Sequence, residues 1–152
     1  MERRDLMTAL LTGLALAAVT CLSGTPVAGH EQIPVVVPKG LMVQARHVKL
    51  RKPISIMQSG KLVEIFEILE FEVTAKESIP ARALDPVLVV GERLVTKYRY
   101  AAPNRLIFIE HQPRVLKEGS AVYFQWGRRV DTPHRLKLSF EFRRAALIQE
   151  TR

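Results

Sequence analysis

Cysteine is almost absent from this chain, and the position of the single one limits the chemistry open to the rest. Cys21 lies inside an uncharged apolar run, Leu6–Leu22. If that run is removed as a leader, the remaining chain has no disulfide, no thiol nucleophile and no cysteine-ligated zinc or iron–sulfur cluster. Aspartate is also scarce. Beyond the leader it occurs only at Asp85 and Asp131, which disfavours calcium-binding loops.

Motifs of catalysis and nucleotide binding are missing as well. The stretch Gly119–Ala121 lacks the spacing and the second glycine of a nucleophile elbow. No phosphate-loop or dinucleotide-binding glycine pattern occurs, and no two histidines have HxH, HxxxH or HExxH spacing. We therefore predict a protein that is not an enzyme.

The first residues have the layout of a secretory signal peptide. Arg3 and Arg4 precede the apolar run, and small residues follow it in Ser23–Gly29. We predict a signal peptide over residues 1–29 and a mature chain that begins at His30. Cleavage at Ala28 or slightly earlier, and retention of the run as a membrane anchor, are the alternatives.

The start also resembles the twin-arginine export signal, in which paired arginines and one free position precede two apolar residues. Here the matching segment is Glu2–Met7, ERRDLM. The resemblance implies that the protein folds in a bacterial cytoplasm and is then exported. We expect a periplasmic or secreted location.

The net charge of the chain indicates which classes of partner to expect. The formal net charge is +8, and removal of residues 1–29 takes away two charges of each sign. A basic protein outside the cytoplasm meets anionic polymers and acidic surfaces. The predicted partners are an envelope protein or an anionic polymer, without nucleic acid, and with a membrane only through the leader if it is uncleaved.

Beyond the leader, short alternating segments predict strands. We predict an extended N-terminal segment over residues 30–40, a β-sandwich domain over 41–144 and a tail over 145–152 that is frayed or forms a short helical turn. Ser59–Gly60 is the expected turn of a hairpin. Lys61–Glu77 fits a strand or a helix, with strand favoured by its β-branched and aromatic residues. The predicted strands are Leu41–Leu50, Ile54–Gln58, Lys61–Phe66, Pro86–Val90, Leu94–Tyr100, Arg105–His111, Ala121–Trp126 and Arg135–Phe142.

The strand rhythm of Asp85–Trp126, "DPVLVVGERLVTKYRY…RLIFIEH…LKEGSAVYFQW", resembles that of immunoglobulin-like modules. The resemblance implies an all-β fold: an immunoglobulin-like antiparallel β-sandwich of about seven to eight strands after an N-terminal signal helix. Such modules mostly bind or space other domains. It therefore supports an exported, non-catalytic binding or scaffolding module of the bacterial cell envelope. An accessory subunit of a larger redox or transport complex is a weaker alternative.

Glutamates interleave with apolar residues in the segment Lys61–Glu77. Glu64, Glu70 and Glu72 share one face of a strand. A solvated sheet face is the expected explanation. A metal or sugar site, or pairing with arginines across a neighbouring strand, are the alternatives.

The histidines provide the second functional hypothesis. A terminal His30 would offer its α-amino group and imidazole to one metal ion, and His47, His111 or His134 would complete a tetragonal nitrogen site, which suits Cu(II). This arrangement resembles that of copper-chaperone and copper-monooxygenase families on small β-sandwiches. We predict no cofactor for the leading hypothesis and copper for this alternative.

Overall fold

The computed structural model describes residues 38–126 and 134–152. The chain divides into two compact units, Met1–Val35 and Val36–Arg152, and all described residues belong to the second. The predicted leader and His30 lie outside the described residues. Among the residues described, no helix is long and apolar enough to cross a membrane.

The described residues form nine strands in two sheets. The first sheet has the order β5-β6-β2-β1-β9, and the second has the order β4-β3-β7-β8. One short helix, α1 (Ala81–Leu84), precedes β3, and 3-10 turns occur at Pro113–Val115 and Arg144–Ala146. The strands are β1 (Met42–Gln58), β2 (Lys61–Thr74), β3 (Val87–Val90), β4 (Arg93–Val95), β5 (Tyr98–Ala102), β6 (Arg105–Glu110), β7 (Ala121–Trp126), β8 (His134–Glu141) and β9 (Ile148–Thr151).

The strand order is that of an immunoglobulin-like sandwich. Across the first sheet, β1, β2, β6 and β5 take the places of strands A, B, E and D, and in the second sheet β3, β7 and β8 take those of C, F and G. β4 extends the second sheet beside β3, as strand C′ does. The predicted all-β sandwich is therefore confirmed, with nine strands among the described residues where about seven to eight were expected. β9 is an addition that pairs with β1 in parallel.

Phenylalanines from both sheets fill the space between them. Phe71 on β2 and Phe108 on β6 face inward, and both are fully buried. The ring of Phe108 meets that of Phe124 on β7 edge to face, with centroids 6.3 Å apart. Phe71 lies 6.2 Å from Phe142, which follows β8. These contacts join the two sheets into one core.

Several predicted strands are confirmed. β7 covers the predicted residues Ala121–Trp126, and Lys61–Glu77 is a strand as far as Thr74. On β1, Ala45 belongs to the core and Val43 packs against it.

Two segments differ from the prediction because they make non-local contacts. Leu94–Tyr100, predicted as one strand, is split: the chain leaves the second sheet after β4 and enters the first at β5. β4 therefore buries Val95 and leaves Leu94 half exposed. The tail over residues 145–152 begins in a short helical turn, as one of the two alternatives predicted, but it then forms β9, which pairs with Arg46–Lys49 of β1.

We predict that Phe71→Ala lowers the free energy of unfolding by about 3–5 kcal/mol, because it leaves a cavity between the sheets. Urea denaturation followed by fluorescence measures the change. Leu136→Ala, at a position of β8 that is 39% exposed, is the control and is expected to cost less. Equal losses in the two variants would contradict the assignment of Phe71 to the core.

Candidate functional site

The hairpin formed by β1 and β2 extends beyond the strands that flank it. β9 pairs only with Arg46–Lys49 of β1, and β6 pairs only with Leu69–Thr74 of β2. We call the remaining part, residues 50–66, the arm. It ends in the predicted turn, where Ser59 and Gly60 both have positive φ angles, 49° and 75°, as a type I′ turn requires.

An irregularity lies at the base of the arm. Lys49 pairs with Glu67, and the next pair along the hairpin is Ile54 with Ile65. Four residues of β1 therefore lie opposite Phe66 alone. Pro53, which has no N–H to donate, is one of the four. The ladder bends here, so the direction of the arm is set by this bulge.

Apolar side chains on the outer face of the arm are exposed to solvent. Met57 and Leu62 lie opposite each other and are 71% and 69% exposed. Phe66, on the same face as Leu62, is 57% exposed. We call these three residues the apolar stripe. The arm also carries exposed positively charged side chains, at Arg51, Lys52 and Lys61.

A groove of about 810 Å³ runs between the arm and the 3-10 turn after β6. Leu50, Val63 and Ile65 supply apolar lining. Residues Lys49, Glu64, Glu67, His111 and Arg114 add charged and polar groups to its wall. The groove therefore offers a surface of mixed character to a ligand or a partner chain.

Below the arm, Glu70 is held by arginines from two other strands. It lies on the outer face of the first sheet but is only 2% exposed. Arg152 binds it with two parallel hydrogen bonds, Nη1–Oε1 at 2.8 Å and Nη2–Oε2 at 2.9 Å, and Arg99 approaches to 3.6 Å. The backbone of Arg152 also pairs with Lys49 and Arg51 of β1. The ion pair thus fixes β9 against the hairpin.

Glu72 forms a second ionic contact on the same face. Its carboxylate accepts hydrogen bonds from Arg46 at 2.9 Å and from Arg105 at 3.0 Å. Burial by itself would raise the pKa of Glu72, but the hydrogen bonds from Arg105 and Arg46, with their positive charge, hold it below its ordinary value. Glu72 therefore stays ionised and connects β1, β2 and β6.

Glu110 ties the two sheets together near the groove. It is 3% exposed, and Arg93 of β4 donates Nε and Nη2 to it at 2.7 and 3.0 Å. The hydrogen bond to Glu110, opposed by partial burial, raises the pKa of Arg93. The backbone N–H of Gln112 also donates to Glu110, at 2.9 Å, which anchors the loop that forms one wall of the groove.

The predicted histidine ligands occupy separate structural settings. His47 on β1 lies between Glu67 and Gln149, each 2.9 Å from a ring nitrogen. His111 follows β6 at the groove, and burial and the nearby charge of Lys97 lower its pKa. His134 begins β8 and stacks on Trp126, with ring centroids 5.5 Å apart.

Within residues 38–126 and 134–152, no three histidine, cysteine, aspartate or glutamate side chains are grouped so that they could hold a metal ion. His30 lies outside these ranges. The copper hypothesis therefore remains a prediction.

The glutamates of the predicted acidic face differ from the expectation in their exposure and in their partners. The expected solvated sheet face is wrong for Glu70 and Glu72, which are buried, and the alternative of pairing with arginines is confirmed for both. Glu64, further along the arm, is exposed. Sequence reasoning did not find the apolar stripe, because apolar residues occupy both faces of the segment Leu62–Ile68, so alternation alone does not mark which face is exposed.

Comparison with known proteins gives a partial match. The chain is similar to Protein CyaD from two strains of Bordetella pertussis. The identity is 28% over 123 residues, which cover 78% of this chain and 28% of that protein. The chain thus spans less than a third of the length of these curated relatives. No family model matches the chain, and no solved structure matches it.

We predict that Arg152→Ala destabilises the fold by about 1–2 kcal/mol, because Glu70 stays buried with only the longer contact to Arg99, while water screens the exposed part of Arg152. Thermal and urea unfolding measure the loss. Arg143→Ala removes an exposed pair with Glu141 and is expected to cost less than about 1 kcal/mol. A loss no larger for Arg152 than for Arg143 would refute the role given to the buried pair.

We also predict an acid-sensitive contribution from Glu72. Its pKa is lower in the folded chain than the ordinary value of 4.5, so unfolding takes up a proton at low pH. The stabilisation is complete above pH 4.5 and is lost as the pH falls through the folded pKa. Urea titrations between neutral and acidic pH should therefore show a smaller difference between wild type and Glu72→Gln in acid. A difference between wild type and Glu72→Gln that stays constant with pH would contradict the assignment.

Proposed function

We propose that the chain is an exported, non-catalytic binding or scaffolding module of the bacterial cell envelope, and that the arm is its contact surface. The apolar stripe carries this proposal. Its members are 71%, 69% and 57% exposed, although the fold has a well-filled core nearby. Grouped apolar side chains on the surface of a folded domain are typical of sites that bind another molecule.

The surroundings of the stripe favour an anionic or acidic partner. Arg51, Lys52 and Lys61 are exposed on the arm, and the whole chain carries a formal net charge of +8. Positive charge beside apolar side chains speeds association with a negatively charged partner and orients it. An acidic envelope protein or an anionic envelope polymer fits both features.

The base of the arm has the rigidity that a scaffold needs. Arg152 and Glu70 hold β9 to the hairpin, and Arg93 and Glu110 join the two sheets below the groove. These charged side chains are directed at each other and serve the fold. Because these arginine–glutamate pairs hold strands together, they support a role in binding or in spacing other domains.

The length of Protein CyaD also supports the proposal that this chain is a module. The matched stretch is 28% of Protein CyaD, so a similar sequence occurs there as part of a longer protein. The export signal predicted for residues 1–29 supports the envelope as the place of action.

The test uses the full-length chain produced in a bacterium, with a photoreactive amino acid in place of Met57. We expect the leader to be removed, the protein to fractionate with the envelope, and a defined cross-linked product to form after illumination. Mass spectrometry identifies the new N-terminus and the partner. The same replacement at Leu136, which is exposed but lies on β8, is the control.

Two results would overturn the proposal. One is an uncleaved product that stays in the cytosol. The other is a turnover activity that is lost on replacing a single polar side chain. Equal cross-linking from Met57 and Leu136 would separately remove the arm as the contact surface.

A further inference from the structure

One edge of β2 is open along the arm. β1 pairs with one side of Lys61–Ile68, but β6 covers the other side only from Leu69 onward. Among the described residues no strand continues the line of β6, because the chain leaves it at Glu110 and enters the 3-10 turn Pro113–Val115. The groove lies beside this edge. Unpaired N–H and C=O groups on such an edge can accept another strand.

The sequence of this edge complements itself. When the segment Lys61–Glu67, KLVEIFE, runs antiparallel to a copy of itself about Glu64, each Lys61 faces a Glu67. On the outer face each Leu62 lies opposite a Phe66. On the inner face each Val63 lies opposite an Ile65, and two-fold symmetry makes every one of these pairs occur twice. The pairs therefore match charge with opposite charge and apolar with apolar.

We propose that two copies of this chain associate through the open edge of β2, pairing residues 61–67 antiparallel with Glu64 at the two-fold axis. The product is a continuous sheet in which the two arms lie side by side. A second copy is the partner because, when the same segment runs in the opposite direction, its Lys61 meets Glu67 and its apolar residues meet apolar residues.

Neighbouring registers lack this complementarity. If the axis moves to Ile65, Glu67 faces Val63 and Glu64 faces Phe66, so charges lie opposite apolar side chains. If it moves to Val63, Lys61 faces Ile65 and Leu62 faces Glu64. The register about Glu64 places a single like-charged pair at the axis, where the side chain is exposed and water and salt screen the repulsion.

The length of the open edge also suits this register. The second copy's strand begins at Lys61 opposite Glu67, so Ile68 alone separates it from the pair formed by Leu69 and Glu110. Its hairpin turns away at Gly60, toward its own β1. The added strand therefore fills the open edge without meeting β6, and it lies in the groove whose far wall is the 3-10 turn Pro113–Val115. Arg114 of that turn lies 3.9 Å from Glu67, so in the dimer it would share this carboxylate with Lys61 of the second copy.

Dimerisation would also account for much of the exposed apolar surface. Leu62 and Phe66, now 69% and 57% exposed, would cover each other across the axis. Met57 lies on β1, away from the open edge, and would stay available to the envelope partner. The inference rests on the proposed role of the arm as a contact surface, but it concerns a different edge and a different partner.

The experiment uses charge reversal and mixing, with sedimentation velocity of the purified mature chain. In Lys61→Glu both ionic contacts become pairs of carboxylates, and in Glu67→Lys both become pairs of ammonium groups. Each variant alone is expected to dimerise about tenfold or more weakly than wild type. An equimolar mixture restores two opposite-charge contacts, so a heterodimer should form with near wild-type affinity.

Matched controls separate this register from general charge effects. Lys52→Glu makes the same charge change on β1 of the arm and should leave dimerisation unchanged. Glu64→Gln removes the like-charged pair at the axis and should strengthen it. Because Glu67 also contacts His47 and Arg114, circular dichroism of Glu67→Lys checks that the fold is kept, and recovery on mixing excludes misfolding as the cause of any loss.

The outcomes are decisive for this inference alone. A wild-type chain that stays monomeric up to millimolar concentration overturns it, as does a mixture that fails to recover association. A dimer that both reversals leave intact lies at another interface and overturns it equally. Cross-linking at Met57 to an envelope partner would survive each of these failures, so the proposed function is judged separately.

Discussion

The antiparallel ladder between β1 and β2 is the interaction on which the rest of the structure depends. It forms the middle of the first sheet, supplies Phe71 to the core, and continues outward as the arm. Side chains alternate strictly along such a ladder, so a slip of one residue would turn Phe71 to the outside and carry Glu70 into the core. The same register therefore determines the core, the ionic contacts and the face that the arm presents.

The buried carboxylates explain part of the excess of arginine in this basic chain. Glu70, Glu72 and Glu110 are each 8% exposed or less, and each meets arginine from a different strand. Guanidinium groups suit this use because they stay charged and bind carboxylates through two parallel hydrogen bonds. Part of the excess of arginine thus holds strands together. The remaining positive charge, including that of the arm, is what a partner meets.

The sequence predicted the features that local patterns determine. The sandwich, the turn at Ser59–Gly60 and the bounds of β7 follow from alternation and from turn residues a few positions apart. It did not predict the break between β4 and β5 or the strand β9, since both depend on which sheet a distant segment joins. In the candidate site, nothing local separates Val63, which is only half-buried, from Leu69 on the same face, which is fully buried. That difference arises because β6 flanks only one of them.

The contact between Glu70 and Arg152 joins residues 82 positions apart. A nascent chain that has just exposed β2 at the mouth of the ribosome carries this carboxylate without its guanidinium partner, and the site beside β1 that β9 will occupy is still empty. The domain therefore cannot reach its final arrangement during most of its own translation. The sandwich is therefore completed only after Arg152 has also left the ribosome.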